Sequence, residues 1–202
     1  MWEGKNVTVF VTGGIAAFKA ATLVRLFVKA GANVEVAMTK SACEFVTPLT
    51  FQVLTKNKVH TDTFDEDEAD RVQHIHLADK TDVAVVVPAT ANTIAKLANG
   101  IADNFVTSTL LAITAPIYVA PAMNEHMWEN PATVRNVAQL KADGKVIIEP
   151  ATGFLAEGYN GKGRLPEPEE IFEQVTFFES RREYKTPLEG KTILITAGGT
   201  KE

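Results

Sequence analysis

Asp82-Val83-Ala84-Val85-Val86-Val87, followed by Pro88-Ala89-Thr90, is the stretch on which the fold turns. Five apolar residues in a row, four of them valine, predict a strand covered on both faces, as in a parallel sheet. Pro88-Ala89-Thr90 ends it, and Ala91 to Leu97 starts a helix. The same rhythm extends outward. Asn6 to Val11 is rich in β-branched residues and stops at Thr12-Gly13-Gly14; from Ile15 to Phe27 apolar residues recur at three and four, until Gly31. Asn33 to Met38 predicts a second strand, closed by Thr39-Lys40-Ser41. Glu44 to Leu54 reads as helical beyond Pro48, and Asp103 to Ile113 as helical again. Ala115 to Ala120 and Lys145 to Glu149 read as strands separated by a helix, Pro131 to Ala142. Strands alternating with helices predict parallel pairing through right-handed crossovers, hence an α/β, doubly wound, mostly parallel sheet.

The composition narrows the function classes. A chain of 202 residues, 46% hydrophobic, has room for one large domain with a proper core. A net charge of -5 argues against nucleic acid as a partner. Cys43 is the only cysteine, which excludes an internal disulfide or thiol metal cluster and fits a reducing compartment. No apolar run approaches the ~18 residues of a membrane span. Val7 to Val11 is too short for a signal peptide and is broken by Gly13-Gly14. Asp62 to Asp70 is acidic and expected to be a solvated loop. Glu167 to Arg182 reads as a last helix, Pro187 to Gly190 as a linker, Lys191 to Thr196 as a fresh strand and Ala197 to Thr200 as a second glycine turn. The expected organisation is therefore a domain over 1–183 and, over 184–202, a linker with the start of another nucleotide-binding domain.

Chemistry should gather at the carboxyl ends of the strands. Thr12-Gly13-Gly14-Ile15-Ala16 lets backbone approach a phosphate and presents the free N–H groups of a helix start. It lacks the full dinucleotide pattern, so a mononucleotide fits better than a dinucleotide, and a plain tight turn is the alternative. Thr39 and Ser41, then Thr90, Asn92 and Thr93, add polar groups at the same edge, although each is also a helix-cap residue type. After the strand ending at Ala120 comes Pro121-Ala122-Met123-Asn124-Glu125-His126-Met127-Trp128. The Asn124 amide, two donors and an acceptor, suits a carboxylate or an amide, beside an apolar wall of Met and Trp. Alternatively Asn124 caps a helix. His74 and His76 alternate as zinc ligands can, but only His60, His126 and carboxylates remain to complete such a site, so no metal is expected.

Gly13 to Ala17, His74-Ile75-His76-Leu77, Pro88 to Asn92 and Pro121 to Trp128 together resemble the homo-oligomeric flavin-containing cysteine decarboxylases, over about residues 5 to 180. Within that family the likeness is to members acting on phosphopantothenoylcysteine in coenzyme A synthesis. The resemblance implies a Rossmann-like flavoprotein with FMN as cofactor. FMN would be contacted by Gly13, Gly14 and Ile15, by Thr39, Lys40 and Ser41, by Thr90, Ala91, Asn92 and Thr93, and by Ala122. It implies His74 as the catalytic histidine, Asn124 as the holder of the substrate carboxylate, and Met127 in the same substrate-binding segment. The implied chemistry is oxidation of the cysteine moiety to a thioaldehyde, loss of CO2 and re-reduction of the enethiol, with the flavin carrying the hard step. His74 suits proton transfer near neutral pH.

The chain departs from the family at one point. In Gly153-Phe154-Leu155-Ala156-Glu157-Gly158-Tyr159, which resembles the flap over the substrate, Glu157 stands where the family has a proton-donating cysteine. A glutamate is ordinarily ionised at neutral pH; burial under a closed flap would favour its protonated form. Glu157 is therefore expected either to replace the thiol as donor, to leave the reaction stalled at the enethiol, or to be an altered residue. Gly190 to Thr200 resembles the start of a phosphopantothenate–cysteine ligase domain, commonly fused behind the decarboxylase in bacteria, so the chain is expected to be the amino-terminal half of a bifunctional cytoplasmic protein. The family forms trimers, often gathered into dodecamers, with FMN at subunit contacts. Rival readings are a peptidyl-cysteine decarboxylase stopping at the enethiol and a non-catalytic flavin-binding regulatory subunit. A flavin prenyltransferase is a further one, but would lack the Pro121 to Trp128 segment.

Overall fold

The computed structural model describes residues 1–64, 72–183 and 190–194. In chain order the elements are β1 (Asn6–Val11), α1 (Ala17–Lys29), β2 (Asn33–Met38), α2 (Lys40–Cys43), α3 (Pro48–Thr55) and β3 (Val59–His60). Then come α4 (Gln73–Lys80), β4 (Val83–Ala89), α5 (Ala91–Ala98), α6 (Phe105–Ala112), β5 (Ile117–Pro121), α7 (Glu125–Glu129) and α8 (Pro131–Ala142). The last are β6 (Val146–Ile147), β7 (Ala151–Phe154), β8 (Asn160–Arg164) and α9 (Pro168–Glu183). Six strands form one sheet in the order β3-β2-β1-β4-β5-β6, parallel at every pairing, and β7 and β8 form a separate antiparallel hairpin. This is the doubly wound α/β class that the alternation predicts.

Strand alternation divides the core. Val7, Val9 and Val11 of β1, with Val83, Val85 and Val87 of β4, pack under α1, α3 and α9 through Leu23, Phe27, Phe51 and Val175. Phe10 of β1 and Ala84 and Val86 of β4 face the other layer, meeting Leu77 of α4, Ile94 of α5, Phe105 of α6 and Leu140 of α8. Beneath the first layer, the Phe27 ring meets Trp2 and Phe172 edge-on, with centroids 5.0 and 5.1 Å away.

Several boundaries differ from expectation. β4 does not stop at Pro88 but runs to Ala89; its register against β5 shifts between Val86 and Ala89, and Ala89 joins the second layer beside Val86. A proline is accommodated there because a bulge takes up the ladder position its missing N–H leaves. Thr39-Lys40-Ser41 leads into the short helix α2, since the Thr39 hydroxyl caps the Ala42 amide at 3.2 Å. The strand expected at Lys145 to Glu149 is two residues long, Val146–Ile147. β3, α4 and the β7–β8 hairpin were not foreseen as elements. Lys191 to Leu194, expected to open a strand, are exposed and lie in none, because a strand forms only against a partner ladder. The remainder of that expected strand and turn, most of the linker and most of the acidic loop lie outside the described residues. Among the described residues no helix is long and apolar enough to cross a membrane.

α9 is bolted to the sheet by one polar contact. The buried Tyr118 hydroxyl of β5 donates to Glu179 at 2.5 Å, with Arg182 at 3.6 Å on the same carboxylate. Burial, then Glu179, pushes the Tyr118 hydroxyl well above its ordinary pKa, so it stays a donor. Tyr118→Phe leaves that buried carboxylate short of a donor and is expected to cost about 2 kcal/mol in urea unfolding. Adding Glu179→Met should restore most of the loss, because an apolar pair needs no partner.

Candidate active site

The strand order reverses between β1 and β4, which leaves a crevice at their carboxyl ends, the place where open α/β sheets take ligands. The two loops beside it are tied together: the Thr12 hydroxyl donates to the Pro88 carbonyl at 2.5 Å and accepts from the Thr90 amide at 3.1 Å. The loop after β1 also presses on the loop after β2. A Cβ on Gly13 would overlap the Ser41 Cβ and sit 2.9 Å from the Ser41 carbonyl carbon, so only glycine allows this approach. Thr90 caps α5 by accepting from the Thr93 amide at 3.2 Å, and its hydroxyl donates to Thr93 Oγ1 at 3.1 Å. The capping reading of Thr39 and Thr90 is thus met, and it places both hydroxyls at the crevice edge. Lys40 turns outward to Asp62 at 3.3 Å.

A cleft of about 500 Å³ opens beside these loops. Gly14 and Ile15 after β1, with Phe18 and Lys19 of α1, form one wall; Pro88, Ala122, Met123 and Asn124 form the floor; the β7–β8 hairpin covers it with Phe154 to Glu157 and Gly163 to Leu165. Of the candidate residues, Gly14, Ile15, Ala122, Asn124 and Glu157 line this one cleft. Gly13, Ser41 and the Thr90–Thr93 turn stand in the adjoining loops. Met127 is half exposed on α7, outside the lining.

Asn124 caps α7, its Oδ1 accepting from the His126 amide at 2.9 Å. Its Nδ2 donates across the cleft to Glu157 at 3.1 Å and to the Tyr159 hydroxyl at 2.8 Å. The hairpin is fixed to this segment by backbone: the Met123 amide donates to the Gly163 carbonyl at 3.0 Å, and the Lys162 amide to Glu125 at 3.0 Å. Gly163 holds φ +144, and a Cβ there would collide with the Met123 carbonyl. At the mouth, Lys19 and Arg164 share the carboxylate of Glu167 at 2.9 and 2.5 Å. The Lys19 hydrogen bond, helped by Arg164, holds the Glu167 carboxyl below its usual range. Lys19 and Arg164 thus put two cations at this mouth, against the carboxylates of Glu167 and, on the hairpin, Glu157.

His74 lies elsewhere on the same chain. It sits half-buried on α4, its ring edge-on to Phe105 at 6.5 Å, and is not part of the cleft lining. Phe105 in turn stacks on His60 at 5.0 Å. His60 pairs with Glu35 at 3.1 Å, and Glu35 also binds Lys80 of α4. Burial alone would raise the Glu35 carboxyl, but His60 and Lys80 together bring it below its ordinary value. Among the described residues, no group of three or more His, Cys, Asp or Glu could hold a metal. Sequence reasoning missed Lys19, Tyr159 and Arg164. Lys19 lies in the first turn of α1, directly after the glycine loop; Tyr159 lay in the flap-like segment without a role assigned to it, and Arg164 gave no signal until the hairpin was known.

Residues 1–178 match the protein family described as Flavoprotein. The chain is 54% identical over 202 residues to the coenzyme A biosynthesis bifunctional protein CoaBC of Bacillus subtilis, covering all of this chain and 50% of that protein. Against the protein of the same name from Haemophilus influenzae it is 43% identical over 200 residues, covering 99% and 49%. The chain thus spans about half the length of these curated relatives. Among solved structures, a PPC decarboxylase mutant complexed with pantothenoylaminoethenethiol superposes with a TM-score of 0.79 at 34% identity, covering 88% of this chain and all of that one. The FMN binding protein AtHal3 superposes with a TM-score of 0.77 at 33% identity, covering 90% and 100%.

The Gly163 contact gives a direct test of the hairpin's anchorage. Gly163→Ala is expected to push the hairpin off the Met123 carbonyl. Amide hydrogen exchange at Met123 and Lys162, whose N–H groups bond across that contact, should rise at least about tenfold while core amides of β4 stay protected.

Proposed function

The chain belongs to the Flavoprotein family, and from that premise we propose that it binds FMN and decarboxylates 4'-phosphopantothenoylcysteine to 4'-phosphopantetheine in coenzyme A synthesis. The observation that carries the reading is the convergence of Asn124, Glu157 and the cations Lys19 and Arg164 on one cleft at the topological switch point. The name and bound compound of the PPC decarboxylase neighbour support the substrate, and AtHal3 supports the cofactor.

The residues present fit FMN. The Gly13–Ser41 contact draws the loops after β1 and β2 together beside Gly14, where a Cβ would meet nothing nearer than Thr90 at 4.0 Å, and the starts of α2 and α5 add backbone N–H groups and hydroxyls at the same edge. Gly13, Gly14, Ile15, Ser41, Thr90 and Thr93 would hold the cofactor there. When bound, FMN supplies a two-electron acceptor and donor for the cysteine moiety. The chain's own groups do the rest. Asn124 holds the substrate carboxylate so that the carbon bearing it is fixed beside the oxidised centre. Lys19 and Arg164 favour a phosphate-bearing ligand at the mouth. Phe18, Phe154 and Leu155 exclude water from the acyl arm. Glu157, reaching the same amide as the substrate, takes the position from which a proton can be delivered to the carbon that loses CO2.

His74 belongs to this reading as the proton-transfer histidine, and its placement bears on assembly. Because it stands outside the cleft of its own chain, a second copy must bring its imidazole to the reaction, in a homotrimer or a dodecamer built from trimers. The tail from Gly190 onward is read as the beginning of a phosphopantothenate–cysteine ligase domain. The activity, with its cytoplasmic location, is then the decarboxylase share of a bifunctional protein. The glutamate at 157 favours one second reading, a peptidyl-cysteine decarboxylase that stops at the enethiol.

Two outcomes test this. Protein purified with FMN should be yellow and release CO2 from 4'-phosphopantothenoylcysteine, giving the saturated thiol by mass. Glu157→Ala should accumulate the enethiol, lighter by two hydrogens, and Glu157→Cys should restore the thiol. An enethiol product from the parent chain favours the second reading. Mixing His74→Ala with Asn124→Ala protein, each inactive alone, should regain activity in mixed oligomers, measured as CO2 release; no recovery contradicts a shared site.

A further inference from the structure

Asn124 is fully engaged by its own chain. Its carbonyl accepts from the His126 amide, and its amide nitrogen donates to the Glu157 carboxylate at 3.1 Å and the Tyr159 hydroxyl at 2.8 Å. A primary amide has two N–H donors, so both are spent on the hairpin. A ligand carboxylate reaches Asn124 only by taking the place of one of these acceptors, and the two are not equivalent. An ionised glutamate is acceptor only and carries the newcomer's charge. The tyrosine hydroxyl accepts from Asn124 with a lone pair and keeps its own proton free to donate. Displacing Tyr159 would leave two carboxylates side by side, which repel. Displacing Glu157 leaves an N–H and an O–H converging on one anion.

We propose that Asn124 and Tyr159 together form the subsite for the substrate carboxylate, and that Glu157 is its internal occupant, held there until that carboxylate displaces it. Tyr159 is then a specificity-determining residue, and Glu157 sets the threshold for entry. The inference rests on the substrate reading above and deepens it.

The hairpin is built for such an exchange. Glu157 and Tyr159 flank Gly158, whose φ is +91, in a turn closed by the Leu155 amide on the Tyr159 carbonyl at 2.8 Å and the Gly158 amide on the Leu155 carbonyl at 3.0 Å. These bonds fix the shape of the turn that carries Tyr159. The Glu157 side chain, exposed and bound by Asn124 through one oxygen, can swing away without breaking any of them. The displaced carboxylate stays in the same cleft, where it can take up the proton released when the cysteine moiety is oxidised and later deliver it to the carbon that loses CO2, the donor role given to it above.

Calorimetric titration of the FMN-loaded protein tests this with two probes. 4'-Phosphopantothenoylserine keeps the carboxylate and lacks the oxidisable thiol; the corresponding ethanolamine amide lacks the carboxylate. Glu157→Gln should bind the serine compound about fivefold tighter than the parent chain, since the like charge is gone. Tyr159→Phe should bind it about tenfold more weakly, having lost a donor to an anion. Both variants should bind the ethanolamine compound as the parent does. Equal affinities of all three proteins for the serine compound overturn the inference and leave the substrate reading standing. Parallel changes for both probes overturn it too, as a general effect on the hairpin. Failure of both probes to bind any of the proteins overturns the substrate reading and the inference together.

Discussion

The structure depends on covering both faces of β4. An all-apolar strand has no solvent face to offer, so it must lie inside the sheet with a helix layer on each side. With β4 inside, β1 beside it and the chain wound outward in both directions, the switch point falls between these two strands. The crevice is therefore a by-product of burying valines. Thr12 then spans it, bonding the end of one strand to the loop after the other, so the ligand loops inherit the rigidity of the core.

On that rigid floor sits a second, weaker structure. The β7–β8 hairpin makes no strand pairing with the main sheet and is held by the Met123–Gly163 and Lys162–Glu125 bonds and by the side-chain contacts of Asn124. Few bonds and exposed residues are what a cover over a ligand site needs, because it must release and re-form at low cost. The same segment, Met123 to Glu125, thus both lines the cleft, through Met123 and Asn124, and docks the hairpin. On the proposal above, ligand binding and hairpin position compete for one amide.

His74 follows a different logic. Its helix, α4, packs on α6 in the second layer, and its surroundings are Phe105, His60 and the Glu35–Lys80 contact. A half-buried imidazole held by an aromatic edge is well oriented but points to no partner in its own cleft. The exposed apolar residues nearby, Val72 and Ile75 on the approach to and first turn of α4, are the kind of surface a second subunit would cover.

Local pattern was enough for β1, β2, α5 and α8, whose limits follow from runs of valine, capping threonines and a proline at the first helical turn. It was enough, too, to bring Gly13, Ser41, Thr90 and Asn124 to one edge, because in a parallel sheet every strand-to-helix loop lies on the same side. The sequence by itself therefore determined the layered sheet and the edge at which its chemistry gathers: burial period and handed crossovers are local rules. It could not determine that Ala89 continues β4 through a bulge, that a glycine-rich segment folds back as a hairpin, or that Glu157 and Tyr159 meet Asn124 more than thirty residues away. Only the tertiary structure decided these, because they rest on which backbone and side-chain groups are left unpaired after the core has closed, and no window of neighbouring residues contains that information.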